Sequence, residues 1–171
     1  MSKKEILKRL HQIGVINKEP VKLRSGQISE FYCDIKKAYG YSDILNAIAD
    51  EVGKELNNTV TCVAASGYGG LPLAAVVASR HDKNLIAIRN IEKKHGKGGY
   101  VDGYSPTKND IVAIVDDVLT TGSSIRETFS ILSKTGAKIN SAIVVVKRGE
   151  GKIPIPCRHI FSIEEILKAK T

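Results

Sequence analysis

One stretch of this chain runs from an apolar segment into two adjacent carboxylates, then a hydroxyl-rich turn around a single glycine, then an apolar-periodic segment. Five apolar residues, 111–115 and mostly β-branched, lead into Asp116 and Asp117. Val118 and Leu119 carry the chain on to Thr120, Thr121, Gly122, Ser123 and Ser124. Beyond them Ile125, Phe129 and Leu132 recur at helical spacing. The segment reads as a buried parallel strand whose carboxyl end meets a helix amino end, the usual seat of an anionic ligand in an α/β sheet.

The residue types narrow the ligand. Backbone N–H groups of the turn, with the hydroxyls of Thr120, Thr121, Ser123 and Ser124, suit one phosphate monoester, and Gly122 lets the backbone come close. Carboxylates repel phosphate, so the two aspartates suit a neutral diol such as a ribose, whose hydroxyls they accept. They would also stabilise positive charge developing on that sugar ring. A helix-capping aspartate accounts for one acid, but not for two acids and four hydroxyls around one glycine. A Walker loop is excluded because the Gly-Lys-Ser/Thr ending is missing, and a dinucleotide fingerprint because the three-glycine spacing is missing.

At 171 residues the chain suggests one domain, 1–171, with a substantial core. A formal charge of +8 implies an anionic partner or substrate, either nucleic acid or a polyphosphate small molecule. Only 5% of residues are aromatic and none is Trp, which disfavours a base-stacking RNA platform. No apolar run approaches the ~20 residues needed to span a membrane, and the amphipathic start has no signal-peptide core. Cys33, Cys62 and Cys157 are odd in number and widely spaced. They read as reduced thiols in a cytoplasmic protein.

Apolar periodicity predicts helices over 3–13, from a Ser42-Asp43 cap through 56, near 71–79, from 125, and over 163–169. Apolar runs predict strands at 60–64, 85–88, 111–115 and 139–146, with a hairpin-like turn at Ser25-Gly26 inside 21–34. Alternating strands and helices predict βαβ units and a parallel sheet covered on both faces. The glycine-rich 66–70 reads as a turn before a helix and a second anion cradle. Residues 90–108 read as a polar loop too rich in Gly and Lys to pack, long enough to be a functional lid. Within 89–99, five basic side chains (Arg89, Lys93, Lys94, His95, Lys97) sit beside three glycines, a clamp for a leaving group gaining negative charge. His11, His81 and His159 read as structural or surface residues. Arg148, after a strand and before Gly149 and Gly151, is a natural bidentate reader of a carboxylate.

Together these segments resemble the orotate phosphoribosyltransferases of the type I phosphoribosyltransferase family over nearly the whole chain. Residues 116–124 resemble the motif that binds phosphoribosyl pyrophosphate (PRPP). Leu23-Arg24-Ser25-Gly26 with Ser29, Tyr32 and Asp34 resembles the amino-terminal hood, and 70–74 the pyrophosphate-loop region. Arg89, Lys93, His95 and Gly96 resemble the flexible catalytic loop, and 161–167 the closing segment. The resemblance implies an α/β fold with a central parallel sheet flanked by helices. It implies a hood of about 1–40 plus the C-terminal segment, and a core of about 41–150.

It further implies phosphoribosyl transfer from PRPP to orotate, with Lys93, His95, Asp116 and Asp117 catalytic. PRPP would be held by Arg89, Lys93, His95 and Asp116 through Ser124, and orotate by Arg24, Thr120 and Arg148. Mg²⁺ would be held largely by the ligand's own oxygens, with no strong protein ligand and Asp116 and Asp117 as the candidates. A homodimer is implied, its catalytic loop shared in trans. Asn90 stands where a lysine is usual, Lys97 where an acid is common, Arg24 for a lysine, and Gly69 for a lysine found in many members. Arg24 and Arg148 argue against a purine- or uracil-specific member. A DNA-binding regulator would need a helix-turn-helix, for which the roughly 20 residues before the hood are too few.

Overall fold

The computed structural model describes residues 1–17, 21–22, 28–29, 31–93 and 99–169. Arg24, His95 and Lys97 lie outside the described residues, and Lys93 enters only through its backbone at a strand end.

Helix α1 (Lys3–Ile13) begins with a capping box between Ser2 and Glu5 and ends on Gly14 in the left-handed region, as its periodicity predicts. Short pieces follow: β1 (Ile16–Asn17), β2 (Val21–Lys22), β3 (Ile28–Ser29) and β4 (Tyr32–Cys33). β2 pairs antiparallel with β3, the turn expected at Ser25-Gly26 lying outside the described residues, while β1 pairs with β4. A single helical turn, α2 (Lys36–Tyr39), precedes α3 (Ser42–Glu55). Tyr41, not Ser42, is the cap residue of α3, and no side chain caps it; Asp43 instead sits in the first turn, where the helix dipole favours an acid.

The central sheet has the order β10-β9-β8-β5-β6-β7 among the described residues. Its strands are β5 (Cys62–Ser66), β6 (Asn84–Lys93), β7 (Gly99–Gly103), β8 (Ile111–Leu119), β9 (Lys138–Lys147) and β10 (Cys157–Ser162). All neighbours are parallel except β6 and β7. The helices between them are α4 (Gly67–Arg80), α5 (Ser123–Leu132) and α6 (Ile163–Lys168).

Several expectations change. The segment 90–108 is not wholly a loop: β6 runs on to Lys93 and β7 pairs back along it from Gly99 as an antiparallel edge, while 94–98 lie outside the described residues. Backbone pairing, which side-chain pattern does not report, holds this edge. The glycine-rich 66–70 is not a separate turn, because α4 begins at Gly67. β8 does not stop at Val115; its pairing with β9 continues to Leu119 and places both aspartates inside the strand.

Strand alternation divides the core in two. Val63, Ala65, Val115, Ile143 and Val145 face α1, α3, α4 and α6, while Cys62, Ala64, Ile114, Ala142 and Val144 face α5. Ile6, Leu10, Ile48 and Leu73 are fully buried on the first side. Each such side chain contributes about 1.5–3 kcal/mol on burial.

Candidate active site

The period of two also separates the carboxylates. Asp116 follows Ile114 in phase and faces α5, where the Ser124 hydroxyl donates to its Oδ2 at 2.9 Å. Asp117 faces the opposite side, toward α4 and the hood. A Cβ at Gly69 would lie 2.6 Å from its carboxylate, so the opening turn of α4 sits beside Asp117 and a larger residue there would displace that side chain. The backbone N–H of Asp117 donates to Asp116 Oδ1 (2.9 Å), and that of Val118 to Asp117 Oδ1 (2.8 Å). Burial pushes the Asp116 carboxyl up to about 7, with the adjacent Asp117 charge adding to the rise and Ser124 opposing it.

The turn after β8 is built as a cradle. Gly122 takes a left-handed φ of 77° as the residue before α5, and a Cβ there would meet Ile153 at 2.6 Å. The cleft formed is lined by Asp116, Thr120, Gly122, Ser123 and Ser124. Its backing is the segment after β9. Arg148 and Gly149 both donate backbone N–H groups to the Leu119 carbonyl. Cβ atoms at Gly149 and Gly151 would fall 2.7 Å from the Thr120 oxygen and 2.5 Å from the Thr121 carbonyl carbon. The Arg126 guanidinium ties turn to backing, donating to Thr121 O at 2.7 Å and Lys152 O at 2.6 Å. Arg126 lies just past residues 116–124, and its tie across to Lys152 has no signal in the local sequence.

The hood closes on the same edge. Arg148 donates to the Phe31 carbonyl at 2.9 Å and lies 4.8 Å from that ring's centroid. Lys36 lies 2.9 Å from Asp34 and 3.8 Å from Asp117 in ion pairs. Burial works against the Lys36 ammonium, but Asp34 and Asp117 outweigh it and raise its pKa. Cys33 is buried among these charges and its thiol is pushed up to about 12, chiefly by burial. It is an inert packing group at neutral pH.

The chain matches the phosphoribosyl transferase domain over residues 34–170. It is 35% identical to an orotate phosphoribosyltransferase from Aeropyrum pernix across 97% of this chain and 90% of that protein. The chain belongs to the orotate phosphoribosyltransferase family. The crystal structure of the orotate phosphoribosyltransferase from Aeropyrum pernix superposes with a TM-score of 0.82 at 29% identity, covering 95% of this chain and 96% of that one. The orotate phosphoribosyltransferase of Mycobacterium tuberculosis H37Rv in complex with PRPP shares the fold, with a TM-score of 0.77 at 18% identity over 96% of this chain and 98% of that one.

Within this family frame the expected residues fall in two groups. Asp116 through Ser124 come together at the end of β8, and Arg148 joins them from β9 through the Leu119 carbonyl. Arg89 stands apart on β6, ion-paired with Asp102 of β7 at the wall of a cavity of about 300 Å³. Among the described residues no group of three or more His, Cys, Asp or Glu side chains could hold a metal ion. Asp116 and Asp117 turn to opposite faces of β8 and do not converge, so a cation here would meet at most one of them and take its other oxygens from a substrate. No helix among the described residues is long and apolar enough to cross a membrane.

Proposed function

We propose that this protein transfers the 5-phosphoribosyl group of PRPP to N1 of orotate, giving orotidine 5′-monophosphate and pyrophosphate in de novo UMP synthesis. The observation that carries the reading is the cradle at the end of β8, with Asp116 and Asp117 beside it and Arg148 anchored from β9. The N1–C1′ bond forms as the C1′–O bond to pyrophosphate breaks, and no covalent enzyme intermediate is needed. The cradle of Thr120 to Ser124 takes the 5′-phosphate. Asp116 and Asp117 accept the ribose hydroxyls and stabilise the oxocarbenium-like charge. Thr120, Arg148 and Arg24 orient orotate, the arginines by meeting its carboxylate. Arg89, Lys93 and His95 meet the departing pyrophosphate. Bound Mg²⁺ supplies charge neutralisation to the pyrophosphate, with Asp116 or Asp117 as the protein carboxylate able to approach it.

The hood of about 1–40 and the core of about 41–150 work as one domain, in the cytoplasm, on small-molecule substrates and without nucleic acid. The protein acts as a homodimer with the catalytic loop shared in trans. Tyr68 and Ile91, 90% and 81% exposed, lie near the carboxyl ends of the adjacent parallel strands β5 and β6, where a second copy would cover them. Orotate consumption with PRPP and Mg²⁺ tests the activity, with uracil, hypoxanthine and adenine in parallel. PRPP-dependent loss of orotate supports the reading, and turnover of another base instead overturns the orotate assignment. Mixing Lys93→Ala with Asp117→Asn, each impaired alone, gives activity above the average of the two if loops are shared in trans.

A further inference from the structure

The one-turn helix α2 places Lys36 and Tyr39 three residues apart, on one helical face. Ile35 and Ala38, both fully buried, anchor the turn in the core, and the backbone N–H of Asp34 fixes its start on the Val15 carbonyl at 2.7 Å. Lys36 therefore reaches Asp117 from a rigid base, flanked by Asp34 and by the Tyr32 ring at 5.9 Å. The Tyr39 hydroxyl is buried and has no hydrogen-bond partner among the described residues. Its surroundings are acidic: after burial itself, Asp117 and then Asp116 are what hold its proton on. A buried phenol left unpaired is costly, and one kept protonated beside a carboxylate pair is a donor awaiting an acceptor.

We propose that Lys36 and Tyr39 are positioning residues for Asp117, α2 holding that carboxylate at the angle from which it meets the ribose hydroxyls. The assignment rests on the phosphoribosyl-transfer reading above. Asp117 has a cation at 3.8 Å on its hood side, and a Cβ built on Gly69 of α4 would fall 2.6 Å from its carboxylate. When a ribose hydroxyl engages Asp117, the unpartnered Tyr39 O–H, one turn along the face that carries Lys36, would have to turn toward it to donate. Neither residue needs to touch substrate.

The test compares Lys36→Met, Lys36→Arg and Tyr39→Phe in the full-length protein. A small misplacement of a reacting group costs up to about 100-fold in rate. Lys36→Met is accordingly expected to lower kcat about 30-fold and to weaken PRPP binding, read by calorimetry with Mg²⁺, about 3- to 10-fold. The KM for orotate stays within about twofold, Lys36→Arg recovers most of kcat, and Tyr39→Phe loses about 3- to 10-fold in kcat. Unchanged kcat and PRPP affinity in Lys36→Met overturns the inference. So does equal impairment of the Met and Arg variants, or a loss confined to the orotate KM, either of which marks a loosened hood instead. Wild-type turnover of orotate judges the underlying reading separately. If the wild type uses another base, the same variant ratios are measured on that base. If it uses none, PRPP affinity alone decides.

Discussion

The Ser124 hydroxyl donates to Oδ2 of Asp116 across 2.9 Å, joining the turn before α5 to the β8 carboxylate in one bond. That bond favours the charged carboxylate, opposing the burial and the Asp117 charge that raise its pKa to about 7. Ser124→Ala removes the opposing contribution, so the Asp116 pKa rises further. The acidic limb of kcat/KM for PRPP is expected near pH 7 in the wild type and at higher pH in Ser124→Ala. Asp117→Asn removes a raising charge, and the limb moves to lower pH in whatever activity that variant retains. A pH profile of the three proteins checks both directions; a limb that moves the same way in both variants would contradict the account.

Arg148 makes the hood contact through Phe31 and, on the proposed function, also reads orotate. A charge-assisted hydrogen-bonding pair is worth about 1.5–3 kcal/mol. Arg148→Ala is expected to cut kcat/KM for orotate by about 10- to 150-fold. Lysine lacks the planar fork, so Arg148→Lys recovers little of it. Steady-state kinetics at saturating PRPP reads the effect.

Gly151 backs the cradle so closely that a methyl group has no room. Gly151→Ala pushes a Cβ to 2.5 Å from the Thr121 carbonyl carbon and 2.7 Å from the Gly122 nitrogen, both backbone atoms. The turn must shift, costing about 1–3 kcal/mol in stability. The expected result is a lower Tm together with PRPP affinity weakened by about tenfold or more, the affinity arising from displacement of the phosphate-binding N–H groups. Calorimetry and thermal unfolding on the same sample measure both.

Far from the site, at the amino ends of β5 and β8, Asp110 is a fastening. It accepts from the Thr107 N–H (2.8 Å), the Thr107 and Thr61 hydroxyls (both 2.9 Å) and Tyr104 OH (3.2 Å). These donors, the Thr107 N–H foremost, hold its carboxyl down at about 2. Its folded pKa lies below the unfolded value of about 3.9, so the stability it contributes is present above about pH 4 and lost as pH falls toward 2. Asp110→Ala, which strands these donors, is expected to cost about 2–3 kcal/mol. Asp110→Asn should flatten the fall in stability between pH 4 and 2. Urea unfolding across that range distinguishes the variants.

The sheet's centre was legible because its strands are apolar runs and its motif is local: 111–124 encodes strand, acids and cradle in consecutive residues. β10 was not, because Arg158 and His159 face outward and leave only Ile160 and Phe161 as an apolar signal. α2 is shorter than any helical period can register. The pairing of β6 with β7 was hidden for another reason, since the polar ends of these strands are held by backbone pairing that side-chain pattern does not report. Lys36 and Tyr39 escaped notice because what makes them matter is a partner about 80 positions away.

The opposite facing of Asp116 and Asp117 gives the pair a frame, much as a reading frame gives meaning to letters. Inserting or deleting one residue between Ile111 and Val115 would keep the Asp-Asp dipeptide intact and yet exchange its members. The acid meant for Ser124 would point at Gly69, and the acid meant for Lys36 would enter the α5 core. The dipeptide is therefore two distinct instruments in fixed order, and its phase along β8 is as much a part of the site as its chemistry.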